Sequence, residues 1–240
     1  MAQDPSAHVR RLVSEGNRGR VPWAPRLREF QKNPYPVLEL LELLKDDPEL
    51  YVRRSVANNL NDIGKDHPSL LVEIARRWLV NATHERRWLI RHALRSAIKR
   101  ADSEAIAALG FSDGAMVSIS KVSITPQQVV IGGFVSIAFE ATNTNSGHQR
   151  LLLDIRIHFV KANGKTSPKV FKLKTVELAP GETIQLGKSI SLADMTTRKH
   201  YPGTHQVEIL LNGRKIPLGS FELMGTIPPN DAHVLNNLEI

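Results

Sequence analysis

The sequence predicts a helical repeat domain followed by a β-sandwich, that is, a multidomain α-then-β chain. One observation is a repeat. Asp4-Pro5-Ser6-Ala7-His8-Val9-Arg10-Arg11 aligns with Asp47-Pro48-Glu49-Leu50-Tyr51-Val52-Arg53-Arg54, 43 residues on. A looser third copy follows after 38 more, where Ile90-Arg91-His92-Ala93-Leu94 stands in for Val52 to Val56. A period near 40 fits HEAT-like paired-helix repeats, in which each unit buries one face on the next and the inner helices line a continuous surface. The other observation is a change of hydrophobic period to two after Gly110-Phe111-Ser112-Asp113-Gly114, the mark of half-buried strands. These place a HEAT-like α-helical solenoid at residues 1–110, an immunoglobulin-like β-sandwich at 115–225 and a tail at 226–240.

Residues 4–16 read as the first inner helix, with Val9, Leu12, Val13 and Gly16 toward the core and Arg11, Glu15 and Arg18 toward the groove. Four prolines in 17–36 (Pro22, Pro25, Pro34 and Pro36) forbid a long helix there. Residues 37–45 form an outer helix. Asp47 is placed to cap the central inner helix, with Pro48 at its first position. Val52, Val56, Leu60 and Ile63 then recur at spacings of four, four and three and give it one buried face. Residues 69–80 form the next outer helix. Thr83 caps a third inner helix running to Arg100, and Asp102 caps a short closing one. Beyond the boundary, seven strands are expected: 117–122, 135–142, 153–160, 170–178, 183–192, 206–211 and 216–223. Asn163-Gly164 and Asn212-Gly213 are hairpin turns, and Gly132-Gly133 marks a bulge. Seven short strands in about 110 residues with turns between suggest the immunoglobulin-like sandwich.

The net charge is +8, and it is local. Nineteen of the 32 Lys and Arg but only 12 of the 24 Asp and Glu precede residue 101. A basic helical domain points to a polyanion. The absence of cysteine excludes disulfides, thiolate metal sites and a Cys nucleophile. The nine histidines show no metal-ligand spacing, and neither a nucleophile elbow nor a phosphate loop occurs. No metal or other cofactor is implied. No membrane span or leader is expected, and the bacterial-type cytoplasm is the expected location.

The polar face of the central helix holds Arg54, Asn58, Asn61 and Lys65, with Asp62 beside them. A solvated face usually mixes Glu with Lys, whereas amides and guanidinium groups suit phosphate oxygens and base edges. Glu15 aligns with Asn58, and a carboxylate there either pairs with Arg11 one turn away or has a task of its own. Arg18 and Arg20 belong to an arginine-rich connector around Trp23, which either stacks on a base or fills a gap between repeats. Arg87, Arg91 and Arg95 form a stripe on successive turns, mutually repulsive without a polyanion alongside.

Four segments carry a resemblance to a known family: His8 to Gly16, Pro22 to Leu27, Val52 to Ile63 and Trp88 to Arg95. They resemble the HEAT-like-repeat DNA alkylation repair glycosylases, specifically the AlkC branch, some members of which carry a C-terminal immunoglobulin-like domain. The resemblance spans essentially the whole chain. It implies a DNA N-glycosylase that excises cationic N-alkylated bases, notably 3-methyladenine, from double-stranded DNA without a deep flipping pocket. It implies Glu15 and Asp62 as the catalytic carboxylates and Trp23 as their aromatic partner. Arg11, Arg53, Arg54, Arg91 and Arg95 would hold the backbone. A nucleoid-associated monomer is expected. The family pattern has further helices upstream, with another functional acidic residue, and these N-terminal helices are expected to be missing here. Two other readings stand beside this one: a DNA-binding module without turnover, and a protein-interaction solenoid. Competition by unrelated duplex DNA separates the last from the others.

Overall fold

The computed structural model describes residues 1–196 and 199–225; the expected tail at 226–240 lies outside the described residues. The chain divides into two compact units, Met1–Gly110 and Phe111 onward.

The first unit is helical: α1 (Ala7–Glu15), α2 (Arg28–Lys32), α3 (Tyr35–Leu44), α4 (Leu50–Asp66), α5 (Pro68–Leu79), α6 (His84–Ala93), α7 (Arg95–Lys99) and α8 (Ser103–Ala108). The central helix α4 packs against α1 on one side and α6 on the other. Val52, Val56, Leu60 and Ile63 enter one core with Val13, Leu41, Trp78, Leu89 and Leu94, so the four-four-three spacing buries the expected face.

The recurring Asp-Pro segment folds the same way twice. Asp4 Oδ1 accepts the Ser6 N–H, and Asp47 Oδ1 accepts the Glu49 N–H, both at 2.9 Å. Arg10 Nη1 then donates to the carbonyls of Asp4 and Pro5, as Arg53 Nη1 does to those of Asp47 and Pro48. Arg10 also reaches across to Asp47, with Nε 2.6 Å and Nη2 3.1 Å from its two carboxylate oxygens. Asp47 is therefore not the cap of α4. That position falls to Glu49, because Asp47 is engaged by its own turn and by the preceding helix.

Other boundaries differ from expectation for local reasons. Helix α3 begins at Tyr35 with Pro36 in its first turn, where proline costs nothing. Leu12 is 57% exposed and Gly16 is also exposed, so of the four residues expected to face the core only Val13 is fully buried. The third inner helix breaks at Leu94 into α6 and α7. At the break Asn61 Oδ1 accepts the Ser96 N–H at 3.3 Å, and the His92 carbonyl is taken by Arg95 Nη1 at 2.6 Å. Insertion of side chains into the helical ladder is a recognised cause of such breaks. Thr83 and Asp102 do cap, accepting the N–H of Arg86 and Ala105.

A close approach ties α4 to α5. A Cβ placed on Gly64 would lie 2.2 Å from Leu71 Cδ2 and 3.1 Å from Leu71 Cβ, and Leu71 is buried. Alanine favours a helix over glycine by about 1 kcal/mol, but overpacking a filled core costs about 1–3 kcal/mol. Gly64→Ala is thus expected to lower the thermal midpoint of the helical unit by several degrees, checked by circular dichroism melting; an unchanged or raised midpoint would contradict the packing described.

Among the described residues the second unit is a sandwich of eight strands: β1 (Val117–Thr125), β2 (Gln128–Val130), β3 (Phe134–Asn143), β4 (Gln149–Val160), β5 (Thr166–Leu178), β6 (Thr183–Ser191), β7 (Gly203–Leu211) and β8 (Arg214–Met224). One sheet runs β1-β3-β6 and the other β2-β8-β7-β4-β5. Their inner faces meet in two apolar clusters, with Val135, Ile137 and Phe139 from one sheet against Ile155, Ile157 and Ile209 from the other. Both Asn-Gly hairpins form. Asn212 and Gly213 have φ of 47° and 86°, and Leu211 pairs with Arg214 across them, the geometry of a two-residue turn. The eighth strand, β2, has three residues and pairs parallel with β8, too short for alternation to reveal. Gly132-Gly133 is a turn between β2 and β3 rather than a bulge. Gly132 has φ 101°, and a Cβ on Gly133 would meet Val129 Cγ2 at 2.8 Å.

Candidate carboxylate site and basic face

Helix α4 presents a second stripe at spacings of four, three, four and three: Tyr51, Ser55, Asn58, Asp62 and Lys65. Such spacing keeps the side chains on one helix face. Across from it stand Arg11 and Glu15 of α1 and Arg18 in the turn that follows. The repeat therefore brings Glu15 and Asp62, 47 positions apart in sequence, to a common point.

That point is Arg18. Its Nε and Nη2 donate to Asp62 Oδ2 at 2.9 and 2.7 Å, and its Nη1 donates to Glu15 Oε1 at 2.5 Å. The remaining oxygens are also held. Ser55 Oγ donates to Glu15 Oε2 at 2.8 Å, and Lys65 Nζ donates to Asp62 Oδ1 at 2.7 Å. Arg11 Nη2 lies 3.6 Å from Glu15. Burial pushes the Glu15 carboxyl up, but hydrogen bonds from Ser55 and Arg18 and the charges of Arg18 and Arg11 outweigh it, holding Glu15 below the ordinary carboxylate range. The site is graded in exposure. Arg18 is 8% and Asp62 3% exposed, whereas the Arg11 and Lys65 side chains reach solvent.

Around this pair the expected groove residues fall into distinct environments. Arg11 donates to the Tyr51 hydroxyl at 2.5 Å and lies over its ring, 4.5 Å from the centroid. Arg20 pairs with Asp66. Arg53 is spent on the Asp47 and Pro48 carbonyls, and Arg54 is exposed. Asn58 Oδ1 accepts Arg95 Nη2 at 2.9 Å and His92 Nε2 at 3.2 Å. Because Arg can only donate, that oxygen is an acceptor, and His92 carries its proton on Nε2. His92 stacks on Trp88, with ring centroids 5.1 Å apart. Burial, then the charges of Arg95 and Arg54, push its imidazolium pKa down. Asn61 is buried and holds the start of α7. Arg87 donates to the Ala82 carbonyl and stays exposed, and Arg91 is half-buried.

Trp23 does not join the carboxylates. It is fully exposed at 105%, with φ 65°, and it packs on nothing in this structure; the proline-rich connector carries it outward. The aromatic ring that does stand beside Glu15, through Arg11, is Tyr51. Ser55 and Tyr51 escaped the sequence reading, although the four-three-four-three spacing back from Asp62 points to both. Among the described residues no cluster of three or more His, Cys, Asp or Glu is arranged to hold a metal ion, and no helix is long and apolar enough to cross a membrane.

Comparison with known proteins adds three findings. Residues 118–225 match the domain family described as "Uncharacterised protein YhaZ, C-terminal Ig-like domain". The chain is 39% identical over 206 residues to the uncharacterized protein YhaZ of Bacillus subtilis, covering 86% of this chain and 57% of YhaZ. It also superposes on a Pseudomonas fluorescens protein, the alkylpurine DNA glycosylase AlkC bound to DNA containing an abasic site analog. The TM-score is 0.89 and the identity 42%, over 93% of this chain and 62% of that one. These similarities support a place beside AlkC and YhaZ. A helical region followed by an immunoglobulin-like β domain is the architecture the chain shares with them. It spans about three-fifths of the length of either relative.

Proposed function

We propose that this chain belongs to the AlkC/YhaZ branch and acts in DNA alkylation repair. It would be a DNA N-glycosylase releasing cationic N-alkylated bases such as 3-methyladenine from duplex DNA, without a cofactor. The observation that carries the reading is the meeting of Glu15 and Asp62 beside a basic helical face, in a chain this similar to AlkC. A HEAT-like stack of α1, α4 and α6–α7 would align Arg11, Arg54, Arg87 and Arg91 along the two phosphate backbones. Phosphate contacts of this kind fix register and leave the choice of lesion to chemistry.

The chemistry suits the groups. An N-alkylated purine already bears positive charge, so it departs as a neutral base without a general acid. As the glycosidic bond breaks, the positive charge moves onto the sugar, and a fixed carboxylate stabilises that oxocarbenium character until water adds to it. A second carboxylate takes up the proton that water loses. Asp62, deeper and held from both sides, is assigned the electrostatic role. Glu15, nearer solvent, is assigned the water. On this reading the protein would act at the bacterial nucleoid, as a monomer.

The test is release of free 3-methyladenine from methylated duplex DNA, followed by chromatography against a heat-killed control, since this base also departs spontaneously. Release above the control is expected. Every oxygen of the carboxylate pair already has an internal donor, which gives a second reading its footing: a duplex-binding module in which the pair is structural. Salt-sensitive duplex binding with no release above the control would select it.

A further inference from the structure

Arg18 sits among residues whose expected partner is phosphate, yet its surroundings suit another role. We propose that Arg18 is a positioning residue, the tie that holds Glu15 and Asp62 together across two neighbouring helices, and that it touches no DNA phosphate. The inference rests on the proposed role of the carboxylate pair, and its tests do not require base release.

Three observations converge on it. The first is geometric. One guanidinium places Nη1 on Glu15 and both Nε and Nη2 on a single oxygen of Asp62. That engages three nitrogens in two directions, a fork that a lysine ammonium cannot reproduce. The second is access. The Arg18 side chain is 10% exposed and Asp62 4%, whereas Lys65 and Arg11, which flank the same carboxylates, are 39% and 36% exposed. A phosphate approaching this cluster meets Arg11 and Lys65 first.

The third is charge balance. Two carboxylates gathered in a partly buried place repel each other, and without a cation between them one would take a proton. A guanidinium shared between the two removes that repulsion from within, while the more exposed Lys65 and Arg11 flank the same carboxylates from outside. Arg18 lies in the turn just after α1, and its own N–H reaches the Glu15 carbonyl at 3.4 Å. The backbone thus sets its distance from Glu15, and the side chain alone spans to α4.

The experiment uses the full chain and the variants Arg18→Gln and Arg18→Lys. Duplex affinity is measured from low to physiological salt, and the carboxyl group of Glu15 is titrated by NMR. The positioning role predicts an unchanged salt slope, because no phosphate contact is lost, together with a Glu15 titration displaced to higher pH in Arg18→Gln. Arg18→Lys should fall between the two, since one ammonium serves one carboxylate at a time. A slope reduced by about 0.9, the value of one lost phosphate contact, with Glu15 titrating as in the parent, would overturn the proposal. If Arg18→Gln does not fold, Arg18→Lys alone decides, because it retains the charge a phosphate contact needs and loses the fork a tie needs.

Discussion

Asp62→Asn is expected to slow release of 3-methyladenine by about 100- to 1,000-fold while duplex affinity holds or rises. A unit charge 4 Å from a developing cation is worth about 4 kcal/mol at an effective dielectric near 20, or about three orders of magnitude in rate. Arg18 and Lys65 already balance part of the Asp62 charge, which brings the expected loss toward the lower end. The amide keeps the shape of the carboxylate and can still accept from Arg18, so the fold should persist; a melting curve checks that. Removing a negative charge from a basic face also lessens repulsion of phosphate, hence the expectation for binding. Glu15→Gln should be slower than the parent as well, and Trp23→Ala should cost less than either, because Trp23 stands in solvent away from the pair. Single-turnover release measured beside equilibrium binding separates these effects. Full activity in Asp62→Asn would show that the reacting sugar lies elsewhere.

The second large effect is on binding. Reversing two charges, Arg54→Glu with Arg91→Glu, is expected to weaken duplex binding at least about 100-fold at moderate salt. Each charge-assisted contact to a phosphate contributes about 1.5–3 kcal/mol, and reversal adds repulsion to the loss. The salt slope should flatten by about 0.9 for each contact removed, which separates a true phosphate contact from a general loss of positive charge. Arg54 is exposed on α4 and Arg91 half-buried on α6, so the two sample helices that pack against each other. Binding that survives the double change with its slope intact would move the duplex to another surface.

What the sequence revealed and what it hid divides by the range of the interaction responsible. The buried face of α4, the caps at Thr83 and Asp102 and the two Asn-Gly hairpins were legible because each is decided within a few residues. The break at Leu94 was not. Nothing nearby forbids a continuous helix, and the agent is Asn61, 35 positions before the Ser96 N–H it accepts. The same holds for charge. Arg18 and Arg54 look alike in a linear pattern, yet one is enclosed by two carboxylates and the other faces water. Periodicity showed which side of the helix a residue occupies, but only the neighbouring helix shows what awaits it there. Trp23 is the converse case, an aromatic whose residue type suggests contact and whose proline-rich segment carries it away.

The pairing of Arg10 with Asp47 has a consequence for how the helical unit comes apart. Arg10 secures the entrance of its own helix through the Asp4 and Pro5 carbonyls while neutralising the carboxylate at the entrance of the next. If α1 frays, Asp47 loses its counter-charge, and the turn that launches α4 loosens with it. Disorder at one helix start is thereby transmitted to the following one, and two segments 43 residues apart open as one cooperative unit.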